Sequence, residues 1–314
     1  MRNHLFRILI VGLTLALLPN RLRADDARTL AAHRVCGAAL VERGEWSRAV
    51  DHLSRYIDAF PRDAQALVLR ARARAERAGG WTSRTEADRA IADASRAVEI
   101  DPTLAEAYAC LGLARAVRRE PAQALADCDR AAELAPRSAL VFRYRGLVHF
   151  WDDDMDRAVA DLTAAVERDP RSAVAHRDRA RVRRYLYELP AALGDAETAV
   201  ALAPDRADGY ATLSSIRLDL REPDRALAAA RKAVDLAPRE ATGYGALFEA
   251  HLLRRDYPEA LRACEKAVEL APESVTALGD RASCRVAMGE PDLALADCRT
   301  PVGLVEATRR TSAG

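Results

Sequence analysis

Lysine is nearly missing from this 314-residue chain: Lys232 and Lys266 stand against 46 arginines, and asparagine does not recur after Asn20. No C-x-x-C pair and no zinc-ligand spacing occurs, so structural zinc and c-type haem have no support. No G-x-S-x-G, H-E-x-x-H or P-loop pattern is present, and His4, His33, His52, His149, His176 and His251 are scattered. A catalytic constellation is therefore missing, and neither an enzyme nor a cofactor is expected. The longest apolar run, Ile8 to Leu18, holds eleven residues and is softened by Gly12 and Thr14. It falls short of the roughly 20 residues a membrane-spanning helix needs. Charge of one sign is lacking too. The formal net charge is +1, and removing residues 1–24, with four arginines and no acid, leaves a net of −3. Nothing in that balance advertises nucleic-acid or anionic-membrane binding.

What the chain has is a grid of prolines. Pro102, Pro136, Pro170, Pro204, Pro238 and Pro272 are spaced 34 residues apart, and Pro61 precedes them by 34 plus a seven-residue insertion. A fixed period of this length marks a stacked repeat protein. Each proline closes the same phrase, as in ALADCDRAAELAP (Pro136) and ALRACEKAVELAP (Pro272). Alanine stands twelve residues before it (Ala49, Ala90, Ala124, Ala158, Ala192, Ala226, Ala260) and again five before it from Ala97 to Ala267. With the residue between, such as Cys128 or Leu162, these form an i, i+4, i+7 stripe, one face of a helix. Small side chains there let two helix axes approach closely. Two residues after the proline, Asp63, Ser138, Ser172 or Ser274 is placed to cap a second helix. An aromatic recurs six past it (Tyr108, Phe142, Tyr210, Tyr244), with His176 in its place once, and a small residue ten past it (Gly112, Gly146, Ala180, Ser214, Ala282). The residue before each proline is pushed out of the helical region, which makes a sharp turn.

This pattern resembles the tetratricopeptide repeat family, over about residues 28–300. The resemblance implies an all-α, right-handed superhelical solenoid of about eight helix-turn-helix repeats. They fall near 28–61, 62–102, 103–136, 137–170, 171–204, 205–238, 239–272 and a degenerate 273–306, before a disordered tail at 307–314. Where the family often has leucine nine residues after the proline, Arg70, Arg145, Arg179 and Arg281 appear. In those copies Asp93, Asp161, Asp195 and Asp297 appear on the second helix. Copies with Leu213 or Leu247 have Ala229 or Ala263 instead, so a structural Arg–Asp pair linking the two helices is expected, worth at most about 1 kcal/mol if partly exposed. The copy with Leu111 and Asp127 departs from this rule.

Residues 1–24 read as a secretory signal peptide: basic residues, an apolar run, the breaker Pro19 and a small residue at Ala24. Periplasmic or secreted localisation follows, or membrane anchoring if the segment is uncleaved. In the second repeat, Gly79 and Gly80 are expected to stop one helix, Trp81 to lie on an enlarged loop, and Ser83 with Glu86 to form a capping box. Trp46 and Tyr257 sit at inter-helix turns as structural aromatics. Pro301 ends the last helix early, and Val302, Leu304 and Val305 follow it.

Cys128, Cys264 and Cys298 share an inward helix position and read as core thiols, with Cys110–Cys128 and Cys284–Cys298 as candidate bridges. Asp152, Asp153, Asp154 and Asp156 lack the glycine and distal glutamate of a calcium loop and read as a capping turn. The resemblance implies that the first helix of each repeat lines a concave surface that binds extended peptides or helices. There, Arg177, Arg181 and Arg184 share a face, with Tyr185 adjacent and Arg143, Leu147, Phe150 and Trp151 on the preceding repeat. Arginine beside aromatic surface suits an acidic or amphipathic segment of another protein. Clamping a C-terminal carboxylate with asparagines and lysines is discounted, since the groove has neither. The expected function is an exported scaffold for protein–protein interaction. A regulatory subunit of an envelope complex and a self-associating structural protein, hence a homo-oligomer, stay open.

Overall fold

A computed structural model describes residues 24–81, 84–272 and 274–299, which form sixteen α-helices and no strand. In chain order these are α1 (Ala24–Arg43), α2 (Trp46–Ala59), α3 (Ala64–Trp81), α4 (Arg84–Ile100), α5 (Ala105–Val117), α6 (Pro121–Leu134), α7 (Ala139–Trp151) and α8 (Met155–Arg168). They continue as α9 (Ala173–Tyr185), α10 (Leu189–Leu202), α11 (Ala207–Asp219), α12 (Pro223–Leu236), α13 (Ala241–Leu253), α14 (Tyr257–Leu270), α15 (Val275–Ala287) and α16 (Pro291–Cys298). Each helix packs on its neighbour in sequence, and each odd-numbered helix also packs on the next odd-numbered one. The odd helices thus make a continuous layer, with the even helices wedged outside it. This is the solenoid of eight helix pairs that the proline grid predicts.

Local chemistry sets each boundary. Asp63 Oδ1 accepts from the Ala66 amide at 3.0 Å, and Ser138, Ser172 and Ser274 cap α7, α9 and α15 in the same way. Pro121, Pro223 and Pro291 open α6, α12 and α16 at the position where a missing N–H costs nothing. Ala135, Ala203, Ala237 and Ala271, each preceding a grid proline, leave the helix at φ near −138° and ψ near 70°. Between the helices of seven repeats, all but the second, the chain passes through a left-handed residue: Gly44 and Gly289 in the end repeats, and Arg119, Asp153, Tyr187, Arg221 and Arg255 between. The next amide then bonds back into the helix, as Glu120 N–H does to Arg115 O. Asp154 caps α8 by accepting from the Arg157 amide, so the acidic turn is a helix start.

Both alanine columns of the second helices are buried throughout. Opposite them, a Cβ at Gly112 would clash with Cys128 Sγ and lie 2.8 Å from Ala124 O. At the same register Ser214 spends its hydroxyl on Ala226 O at 2.9 Å. The close approach of the two helices in a repeat therefore has a physical owner at that position.

Three expectations need correction. Gly79 and Gly80 do not stop the helix: α3 continues to Trp81, which ends it instead of lying on a loop. The seven extra residues lengthen α3 and α4 and leave only positions 82–83 between them. The expected Arg–Asp pairs form, with Asp93, Asp161, Asp195 and Asp297 inside the fold and their arginines half-buried. Cys298 is exposed because, among the described residues, no helix follows α16 to cover it; all six cysteines are free thiols. Asp127 does have an arginine, Arg115, at 2.5 Å. The leader-like segment before Ala24, Ser83 of the capping box, and Pro301 with the tail lie outside the described residues.

Candidate binding groove

The residues singled out around the fourth and fifth repeats divide into two sets. Arg143 on α7 is interior: its Nε donates to Asp178 Oδ2 at 2.6 Å and its Nη2 reaches Glu76 of α3 at 2.7 Å. The Tyr144 hydroxyl donates to the same Glu76 at 2.8 Å. Arg177 on α9 donates twice to Asp178 Oδ1 and pairs with Asp208 of α11, and Arg206 donates to Asp208 from the turn before α11. One ion chain, Glu76–Arg143–Asp178–Arg177–Asp208–Arg206, therefore crosses the inner layer from α3 to α11. Burial resists the charge on Asp178, but Arg177 and then Arg143 more than offset it and hold the carboxyl at about 2. For Asp208 the same balance, with Arg177 and then Arg206 prevailing over burial, drives the carboxyl still lower.

The second set is aromatic and more exposed. Phe150 meets Tyr185 edge-on at 5.0 Å and Trp151 at 6.2 Å, and the Arg181 guanidinium lies 5.7 Å from the Phe150 ring centre. Arg181 keeps 39% of its side chain exposed, with Asp178 at 3.8 Å its ion-pair contact. Arg184 pairs with Asp219 of α11.

Beside these residues the odd helices enclose a trough of about 820 Å3. Leu147, Trp151, Arg177, Arg181 and Arg184 line it; Arg143, Phe150 and Tyr185 do not. Its room comes from the later repeats and has a cause in the sequence register. One column of inner positions runs Arg143, Arg177, Ala211, Gly245, and the next runs Tyr144, Asp178, Thr212, Ala246, Asp280. Large buried groups fill the layer in the fourth and fifth repeats, and small ones leave it open in the sixth and seventh. A Cβ built on Gly245 meets nothing within 4 Å.

Sequence reasoning passed over this half of the trough because it followed arginine and aromatic residues, whereas the signal is a loss of side-chain volume at a fixed register. It also read Trp46 as a structural aromatic alone. That indole opens α2, lines the trough, and lies 5.7 Å below the guanidinium of Arg206, so the first and sixth repeats touch across the superhelix. Glu249 on α13 accepts a hydrogen bond from the Ser215 hydroxyl at 2.9 Å. Asp280 on α15 also faces the trough; burial, and after it the charge of Glu249, push its carboxyl up to about 7.

A sequence model described as tetratricopeptide repeat matches residues 37–105, 212–275 and 246–300. No curated protein matches the chain. Among solved structures, the chain is similar to one in the crystal structure of the APC/C hetero-tetramer Cut9-Hcn1. The TM-score is 0.67 at 12% identity, covering 87% of this chain and 52% of that one. The chain thus spans about half the length of that relative. It is also similar to a thermophilic tetratricopeptide-repeat protein of Thermus thermophilus, with a TM-score of 0.54 at 21% identity over 58% of this chain and 99% of that one. At these identities the likeness is one of fold.

Proposed function

Because the chain belongs to the tetratricopeptide repeat family, a fold typical of protein–protein interaction scaffolds, we propose that it holds a segment of a partner protein in its inner trough. The observation that carries this reading is the open trough itself, lined from α3 to α15 by residues of successive odd helices. Its walls are braced by the ion chain from Glu76 to Arg206, so they are ordered before a partner arrives. A preorganised wall loses little entropy on docking, and more of the contact energy remains as affinity. The reading also places the scaffold outside the cytoplasm, on the strength of the leader-like first 24 residues. Among the described residues no helix is long and apolar enough to cross a membrane.

Gly245 supplies the test. An added Cβ there meets nothing within 4 Å, so a leucine side chain starts from open space and extends into the trough that Gly245 lines. Peptides selected from a random displayed library against the native chain should lose binding to Gly245→Leu, with the circular-dichroism spectrum unchanged. Undiminished binding of every selected peptide would remove the trough as the site.

One observation favours self-association as a second reading. Leu295 is 52% exposed, although its counterparts from Val50 to Leu261 are partly or wholly buried. Leu293, 50% exposed, stands where Arg48, Arg89, Gln123, Arg157, Arg225 and Glu259 stand in other repeats. Light scattering of the native chain and of Leu293→Arg distinguishes the two: a mass that falls with the substitution supports assembly through this end.

A further inference from the structure

Resting on that trough reading, we propose that the partner segment is cationic where it crosses the seventh and eighth repeats, with a lysine or arginine head lodged between Glu249 and Asp280.

The charges of the trough carry the assignment. Its arginines are answered almost one by one. Arg177 and Arg206 share Asp208, Arg184 has Asp219, Arg43 and Arg48 share Glu45, and Arg77 has Glu86 at 3.5 Å. Arg239 and Glu240 are adjacent, exposed and opposite in sign at the rim. Arg181 retains a looser contact, at 3.8 Å to Asp178. The acids of the far end have no such answer: Glu249 holds only the Ser215 hydroxyl, and Asp280 has no hydrogen bond or ion pair among the described residues. The basic stretch that sequence singles out is therefore neutralised from within, and the uncompensated charge of the open half is negative. Electrostatic complementarity favours a positive partner there.

Shape agrees with charge. The floor beside these carboxylates is Ala211, Thr212, Gly245 and Ala246, small groups over which an aliphatic stem can lie while its charged head reaches the acids. The groups facing Asp280 are Glu249 from α13 and the Cys264 thiol from α14, and Arg184 faces Glu249 from α9 with its charge already taken by Asp219. Among the described residues, Glu249 is the charge that acts on Asp280. Since the Asp280 carboxyl titrates near 7, such a ligand binds more tightly as pH rises through that value.

Fluorescence anisotropy with the full chain tests this, using two labelled amphipathic peptides of equal length, one of leucine, alanine and lysine and the other with glutamate for lysine. The lysine peptide should bind, and Glu249→Gln or Asp280→Asn should each weaken it about tenfold or more. Lowering the pH from about 8 to about 5.5 should weaken binding to the native chain and leave Asp280→Asn nearly unaffected. Failure of the lysine peptide to bind, preference for the glutamate peptide, or undiminished binding by the doubly neutralised variant would overturn the proposal. Gly245→Leu separates it from the reading beneath. If that variant blocks binding while the charge variants do not, the trough stands and its cation site falls; if it leaves lysine-peptide binding intact, the trough is not the site, and this assignment falls with it.

Discussion

Arg145 and Asp161 face each other across the two helices of the fourth repeat, joined by hydrogen bonds of 2.7 and 2.8 Å. The same bidentate pair recurs as Arg70–Asp93, Arg179–Asp195 and Arg281–Asp297. One turn further along the first helix a second basic group reaches the same aspartate: Arg74, His149, Arg183 or Arg285. Arg115 holds this second position, which is why Asp127 keeps a partner opposite Leu111.

Breaking and replacing this pair should have opposite consequences. Asp161→Ala removes the bidentate partner of Arg145, leaving it the exposed Asp129 at 3.1 Å, and should destabilise the chain by about 1–3 kcal/mol. The double change Arg145→Leu with Asp161→Ala copies the Leu213/Ala229 arrangement of the sixth repeat and should recover most of that loss. Urea midpoints of the two variants check it; a double variant no more stable than Asp161→Ala would contradict the interpretation.

That pair shows how far the sequence could be read. Covariation of Arg with Asp, and Leu with Ala, across copies of one repeat made the contact visible, because every copy repeats the same geometry. The solenoid, its caps and its alanine columns were legible for the same reason. The trough was harder. Arg143 reads as a surface cation in sequence, yet Asp178 and Glu76, 35 residues ahead and 67 residues back in the chain, converge on it only once the superhelix has curved. The extension of α3 through Gly79 and Gly80 was likewise hidden. Glycine lowers helix propensity by only about 1 kcal/mol, and packing overrides it.

Two glycines should respond oppositely to alanine. At Gly112 the new methyl would press on Cys128 and the Ala124 carbonyl, a backbone atom that cannot move aside without shifting α6. A loss of about 1–3 kcal/mol is expected. Gly194, inside α10 with open space around it, should gain about 0.5–1 kcal/mol from the same change. Thermal unfolding of the pair, followed by circular dichroism, measures both.

The left-handed turn residues offer a second stabilising change. Arg221 holds φ at 62°, a region that disfavours a side chain. Arg221→Gly should stabilise the chain by up to about 1 kcal/mol, read as a higher urea midpoint, because the native strain removed exceeds the freedom added to the unfolded chain. The end repeats already use Gly44 and Gly289 at this point.

Asp178 and Asp280 occupy one register of the inner layer, yet their environments shift them in opposite directions. Asp178, held at about 2 by Arg177 and Arg143, stabilises the fold above the unfolded value near 4, and that contribution disappears as pH falls toward 2. Asp280 is raised to about 7, so the native state binds more protons than the unfolded chain between roughly 4 and 7. Its charge therefore becomes an increasing penalty over that window, constant above it. Asp280→Asn removes the penalty. The gain in melting temperature over the native chain should be absent near pH 4, grow up to about pH 7 and then level off. For Asp178→Asn the expected sign is reversed: a loss at neutral pH, about 3–5 kcal/mol for a broken buried pair, that shrinks as the solution is acidified. Melting curves of both variants across the pH series provide the check; parallel profiles for the two would mean that Asp280 has a cation this structure does not place beside it.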